Sequence, residues 1–504
     1  MVFFGEPHLS RNGYAMASEM KLVQSARTRV QALPTQHLEE REHRGLRCPL
    51  SIHASDGRFG RMFRGLPILH LDPGILREVA CLDGVMDGRD SGPRSRNPDH
   101  PDALPAGFAF LGRFIEHELT FDAACEHEKQ VDPEALRYFR PARLALDGVY
   151  GGGPDDAVFL YERHDRARFL LGADSEGNPG RDIVRNREGA GVIPDPRNDQ
   201  NLILSQMHLA FQRFHNAWVD QLRQNGVHRS EDDRGVFERA QLEVRRHFQW
   251  IVLHEYLVYL VGKPMVDAVL RARRFYQIRE VPSLPVEFLL GASGVLWTLM
   301  RPTYRINETL WGDLHHALAG GRQVTPDRRV DWRNFFFIDT NSTPLFSKRI
   351  DTKVTTELLD PMPGDAGDDR RSIAQRLLLR GAQVGLPSGQ SVAELMRAGH
   401  GLDAEGIPGL KPIVVLGRDE FPELREFGLD EHTPLWYYIL KEAELQTGGC
   451  TLGPVGGRIF AEVMVGLLHA DPLSFVRSAP RWRPEKNERR EFGMGDLLRV
   501  AGMV

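Results

Sequence analysis

The chain has 504 residues, 64 of them basic and 69 acidic, leaving a formal net charge of −5. The charges run in no long blocks of one sign, so nothing marks a nucleic-acid partner. Hydrophobic residues make up 41%, enough for a sizeable core, yet no apolar run reaches the roughly 18 residues that a membrane span needs. The first twenty residues lack the charged start and apolar centre of a secretory signal. The four cysteines, Cys48, Cys81, Cys125 and Cys450, form no Cys-x-x-Cys pair. That spacing argues against zinc and against a disulfide framework, and a cytoplasmic location is expected, with secretion left open.

Taken in chain order, residues 1–55 mix polar and charged side chains without periodicity. They read as an arm that wraps the rest or is partly disordered, with one domain over 56–504. The stretches 84–106 and 173–198 are rich in turn formers and are predicted to be exposed loops. Phe110, Phe114, His117 and Phe121 recur at helical spacing, and Met207, Phe211, Phe214 and Trp218 repeat it in a second helix. A third helix runs over 234–261 and stops at Gly262 with Pro264 behind it. Further helices are predicted at 286–300, 371–384, 434–446, 455–469 and 493–501, and short strands at 158–161 and 335–338. No repeat of 20–50 residues appears. The fold class is mainly α, a single large helical domain with few short strands.

Three motifs carry chemistry. Gly112-Arg113-Phe114-Ile115-Glu116-His117-Glu118-Leu119-Thr120 places a histidine between two carboxylates. Asp195-Pro196-Arg197-Asn198-Asp199-Gln200-Asn201 places an arginine just before a helix. Thr433-Pro434-Leu435-Trp436-Tyr437-Tyr438 and Leu452-Gly453-Pro454-Val455-Gly456-Gly457 follow near the end. From Gly57 to about Ala501 the chain resembles the animal-type haem peroxidase (peroxidase–cyclooxygenase) family, in the manner of a bacterial member. The resemblance implies a helical haem-peroxidase-like domain in which His117 is the distal acid/base that moves a proton between the peroxide oxygens. It makes Arg197 the cation that polarises the peroxide bond. Arg113 stands where relatives carry a glutamine facing the pocket. Glu116 stands where an aspartate can bond to haem, and Gln200 replaces the glutamate that is the other covalent anchor.

The same resemblance implies a calcium site built by Glu118 and by Asp147 in Arg143-Leu144-Ala145-Leu146-Asp147-Gly148. Ala145 and Gly148 replace oxygen donors there, so the site is degenerate and calcium is not expected. On the proximal side, Glu287-Phe288-Leu289-Leu290-Gly291-Ala292-Ser293-Gly294-Val295-Leu296-Trp297 aligns with the segment that holds the iron-binding histidine. Trp297 takes the histidine's position and Gly294 that of an arginine three residues earlier. An indole nitrogen only donates a hydrogen bond and cannot ligate metal. Leu377 stands where an asparagine supports that histidine, while Arg380, which faces a haem propionate in relatives, is kept. His254, His315 and His316 are the substitute ligands considered.

Two functions follow. The resemblance implies a haem-dependent oxidoreductase using hydrogen peroxide on an unidentified small molecule, of the kind tied to oxidative stress. With Trp297 as it is, that activity is expected to be altered or lost, haem held if at all by His117 alone. The alternative is a non-catalytic pseudo-peroxidase scaffold that binds a partner or a small hydrophobic ligand.

Overall fold

A computed structural model describes residues 57–89, 103–120, 137–138, 142–224, 232–278, 282–314, 316–339, 342–359, 372–400, 407–485 and 491–504. All of them fall in the unit Ser51–Val504, and the arm expected at 1–55 lies outside the described residues. The longer helices are α1 (Ala106–Leu119), α2 (Leu202–Gln224), α3 (Asp233–Ile251), α4 (Ile373–Gln383), α5 (Gly389–His400), α6 (Leu435–Thr447) and α7 (Pro454–Ala470).

α1 is the axis of the site. It is buried on nearly every side, with only Arg113 and Glu116 partly exposed, as expected of a central helix rather than a surface one. Phe114 stacks on Phe211 of α2 with centroids 5.2 Å apart. Thr120 ends the helix: its backbone N–H and its hydroxyl both donate to the Glu116 carbonyl. Asn201 starts α2 by accepting from the Ile203 N–H at 2.9 Å, and Ser372 caps α4 in the same way through Gln375.

The strands are short. β1 (Gly57–Gly60), β2 (Arg137–Tyr138) and β5 (Ser283–Pro285) form one sheet, β3 (Gly172–Ala173) and β4 (Pro179–Asp182) a hairpin, and β6 (Thr303–Arg305) and β7 (Trp311–Asp313) another. β1 pairs antiparallel with β2 and parallel with β5.

Several expectations need correction. The run at 158–161 is a 3-10 turn, Val158–Leu160, with Val158 and Phe159 exposed and Leu160 and Tyr161 buried. The run at 335–338 pairs with no strand among the described residues. Phe335 and Phe336 instead pack against Phe110 and Phe108 over the start of α1, where the Phe335 carbonyl accepts from the Gly107 N–H. The helix over 234–261 contains a π-turn at Val252–Tyr256 before resuming at Leu257–Val261. The helix at 286–300 is broken into a π-turn, Phe288–Ala292, and one α-turn, Val295–Thr298. The 173–198 stretch is no simple exposed loop, since Asp174, Asp182 and Asp195 within it are fully buried. Ala103, Leu104 and Ala106 are buried too, while 90–102 and Phe121 lie outside the described residues.

Candidate functional site

His117 sits one turn from the end of α1, only 3% exposed. Its Nδ1 lies 2.8 Å from Asn198 Oδ1. The Asn198 amide nitrogen faces His208 Nδ1 at 3.5 Å, which orients the amide oxygen toward His117. The tautomer is thereby assigned: Nδ1 carries the hydrogen and Nε2 the lone pair. Burial, and then the nearby guanidinium groups of Arg197 and Arg113, holds the imidazole well below its ordinary value, so it is neutral at physiological pH.

Arg197 lies in the 3-10 turn Pro196–Asp199, started by Asp195, whose carboxylate accepts from the Arg197 backbone N–H at 3.1 Å. The guanidinium is fixed by two bonds to Asp195, from Nε at 3.0 Å and from Nη2 at 2.8 Å. It also donates to the His117 carbonyl at 2.8 Å and to Thr120 Oγ1 at 3.4 Å. A cation on the last carbonyls of a helix is the expected complement to its dipole. Arg197 therefore anchors the end of α1 as well as standing beside His117. Sequence reasoning did not single out Asn198 and Asp195, which hold His117 and Arg197, although both lie within the motif around Arg197.

Arg113 pairs with Glu116 and lies with its guanidinium carbon 3.8 Å from the centroid of the Trp297 ring, within cation–π distance. The two residues meet across the slot that, by the resemblance, a haem would fill. Just beside this contact, Gly112 faces Leu296 and Tyr256. A Cβ at Gly112 would come within 2.6 Å of the Leu296 side chain and 2.5 Å of the Tyr256 hydroxyl. Non-bonded carbon atoms approach to about 3.5–4.0 Å, so a flat macrocycle between two groups holds them roughly 7 Å apart. The Arg113–Trp297 separation is about half that. The residues present do not fit a haem: Trp297, which the resemblance places beneath the iron, cannot ligate it, and it touches Arg113 of α1 directly.

The rest of the proximal wall is packed in the same sense. At Gly294 a Cβ would lie 2.7 Å from Trp436 Nε1, so Trp436 fills the space that an arginine side chain would need. Leu377 lines a small apolar gap with Leu290, Gly381 and Trp436. Arg380 donates to Gln383 Oε1 at 2.9 Å, and Gln200 is exposed. The substitute histidines stand elsewhere. His254 lies 3.9 Å from Trp250, centroid to centroid, and His316 pairs with Asp313 at the surface; His315 lies outside the described residues.

At the calcium position, Glu118 Oε1 accepts from the Gly148 N–H at 2.8 Å. Asp147 is held by Arg143 at 3.0 Å and Arg245 at 3.4 Å, so two guanidinium groups stand around the carboxylate that a divalent ion would require. Among the described residues no cluster of three or more His, Cys, Asp or Glu side chains is placed to hold a metal.

The mainly helical scaffold with few short strands is shared with haem-peroxidase-like proteins of known structure. Residues 158–396 match the animal haem peroxidase family model. The matched segment holds Arg197, Trp297 and Leu377, while His117 precedes it. No curated protein matches the chain. Among solved structures, peroxidase A of Dictyostelium discoideum aligns over 88% of this chain and 92% of its own, with a TM-score of 0.57 and 14% identity. The fatty acid alpha-dioxygenase of Oryza sativa aligns over 81% and 74%, with a TM-score of 0.57 and 13% identity. That of Arabidopsis thaliana aligns over 83% and 73%, with 0.56 and 14%. At these identities the likeness is one of fold. No helix among the described residues is long and apolar enough to cross a membrane.

Proposed function

We propose that this chain is a peroxidase-family scaffold that binds a ligand or partner and does not turn over peroxide on haem. The single observation that carries this reading is the 3.8 Å contact of Arg113 with Trp297, which joins the two walls of the slot. Trp297, which cannot ligate iron, and Trp436 packed against Gly294 support it. The neutral His117, with Nδ1 held by Asn198, favours the second reading, a proton-transferring enzyme, because Nε2 has the protonation state a general base needs. A base alone does not activate peroxide, and no group of three or more His, Cys, Asp or Glu among the described residues is placed to hold a metal beneath it.

The test is a haemin titration of the full chain followed by absorption spectroscopy and a peroxide-consumption assay. A spectrum that stays that of free haemin, with no turnover above the haemin blank, is the expected result. A sharp Soret band saturating at one haem per chain, together with turnover lost in His117→Ala, would overturn the proposal.

A further inference from the structure

A second cavity, of about 470 Å³, opens between α2, α3 and the C-terminal residues, and shares no lining residue with the slot. Phe214 and Trp218 of α2, His247 of α3, and Trp482 and Phe492 line it. Its volume falls within the range of small-molecule sites. The four other rings surround His247 with centroids 4.8–5.4 Å away. Most of its charged wall groups already have partners. Glu243 accepts from Trp482 Nε1 and from Arg246, both at 3.2 Å. Arg483 donates to the Pro480 carbonyl at 2.9 Å and the Trp482 carbonyl at 2.7 Å, and Arg499 pairs with Asp496 at 2.8 Å.

Two ring nitrogens are different. His247 Nδ1 lies 2.7 Å from the Glu243 carbonyl, one turn back on α3. A carbonyl can only accept, so Nδ1 holds the hydrogen and Nε2 is an acceptor; no described residue donates to it. Trp218 Nε1 is a buried donor without a hydrogen-bond partner. An orphaned polar group of this kind calls for a ligand or a water. The two rings are 5.3 Å apart.

We propose that this cavity binds a flat, neutral aromatic heterocycle with a ring N–H beside a carbonyl. The N–H donates to His247 Nε2, the carbonyl accepts from Trp218 Nε1, and the ring stacks among Trp482, Phe214 and Phe492. A neutral ligand is favoured because Glu243 and Asp496 are already paired with Arg246 and Arg499. The site stands independently of whether the slot takes haem.

The probe is carbostyril, a bicyclic lactam, titrated calorimetrically into the full chain, with N-methylcarbostyril and naphthalene as controls. Carbostyril should bind one per chain, about tenfold or more tighter than its N-methyl form, the difference expected for one lost hydrogen bond to a buried acceptor. His247→Phe, which keeps the ring and removes the acceptor, should bring the two lactams to equal affinity. Equal affinity in the wild-type chain, or no binding of carbostyril up to its solubility, overturns the proposal. If His247→Phe does not fold, as judged by circular dichroism, the two lactams on the wild-type chain decide the matter alone.

Discussion

Arg458 and Glu462 form an ion pair one helical turn apart on α7, at 2.8 Å, with both side chains wholly buried. Glu462 also accepts from the backbone N–H groups of Arg274, Phe275 and Tyr276, and Arg458 donates to the Ala272 carbonyl at 3.2 Å. The pair thus clamps the chain after Lys263–Arg271 onto α7. Removing one member leaves the other charge buried, which costs on the order of 3–5 kcal/mol. Arg458→Leu should therefore lower the urea midpoint sharply, while Arg483→Leu, at an exposed arginine, should shift it little. A midpoint unchanged in Arg458→Leu would show that the clamp is not structural.

Glu442 on α6 should make stability depend on pH. It is buried and accepts from the N–H groups of Val455 and Gly456 at the start of α7. Burial outweighs those bonds and pushes its pKa up from 4.5 to about 7. Between these values the folded protein holds a proton that the unfolded chain has released. The contribution is complete below about pH 4.5 and is lost as pH rises through about 7, a change on the order of 3 kcal/mol. Glu442→Gln should flatten this part of the pH profile, measured as urea midpoints between pH 5 and 8. A variant with the wild-type slope would refute it.

Gly294 is needed for its missing side chain. A methyl group there would meet the Trp436 ring at 2.7–2.8 Å, with both residues in the core, and overpacking of this kind costs about 1–3 kcal/mol. Gly294→Ala should melt several degrees lower than the wild-type chain by circular dichroism, whereas Gly177→Ala, beside open space, should lose less. The glycine conformation at Gly177 (φ 83°) makes that comparison a demanding one.

Restoring a ligand should not by itself restore haem uptake. The double change Trp297→His with Leu377→Asn supplies the imidazole and its support, yet leaves the Arg113 guanidinium across the slot. Adding Arg113→Gln shortens that side chain and removes its charge. Haemin titrations should show one-to-one uptake only in the triple variant. Equal uptake by the double variant would mean that Arg113 swings aside freely.

Much of the scaffold was legible in the sequence, because periodic helices such as α1, α2, α6 and α7 carry their own signal. The two π-turns were not, since an inserted residue leaves the apolar spacing nearly intact. The Phe335–Phe336 run misled for a different reason: its residues serve an aromatic cluster rather than a ladder, and a local pattern does not distinguish the two. Within the site, the loss of a ligand at Trp297 could be read position by position. Its contact with Arg113 could not, because nothing local links residues so far apart in the chain. Asn198 escaped for a related reason: its partner, His117, lies 81 residues away.

The segment bearing Trp297 is fastened at its start by residues from the far end of the described chain. β1 runs beside β5, and Glu287 accepts from the Met62 N–H at 2.9 Å across a separation of 225 residues. Closing so large a loop adds little entropy beyond that of a loop half its length, because the cost grows only logarithmically. It does delay assembly, since such pairings form late and slow the search. During synthesis the residues at 57–63 must leave the ribosome and wait, unpaired on one edge, until those at 283–287 emerge. The floor of the slot therefore cannot become rigid until more than half of the chain has been made.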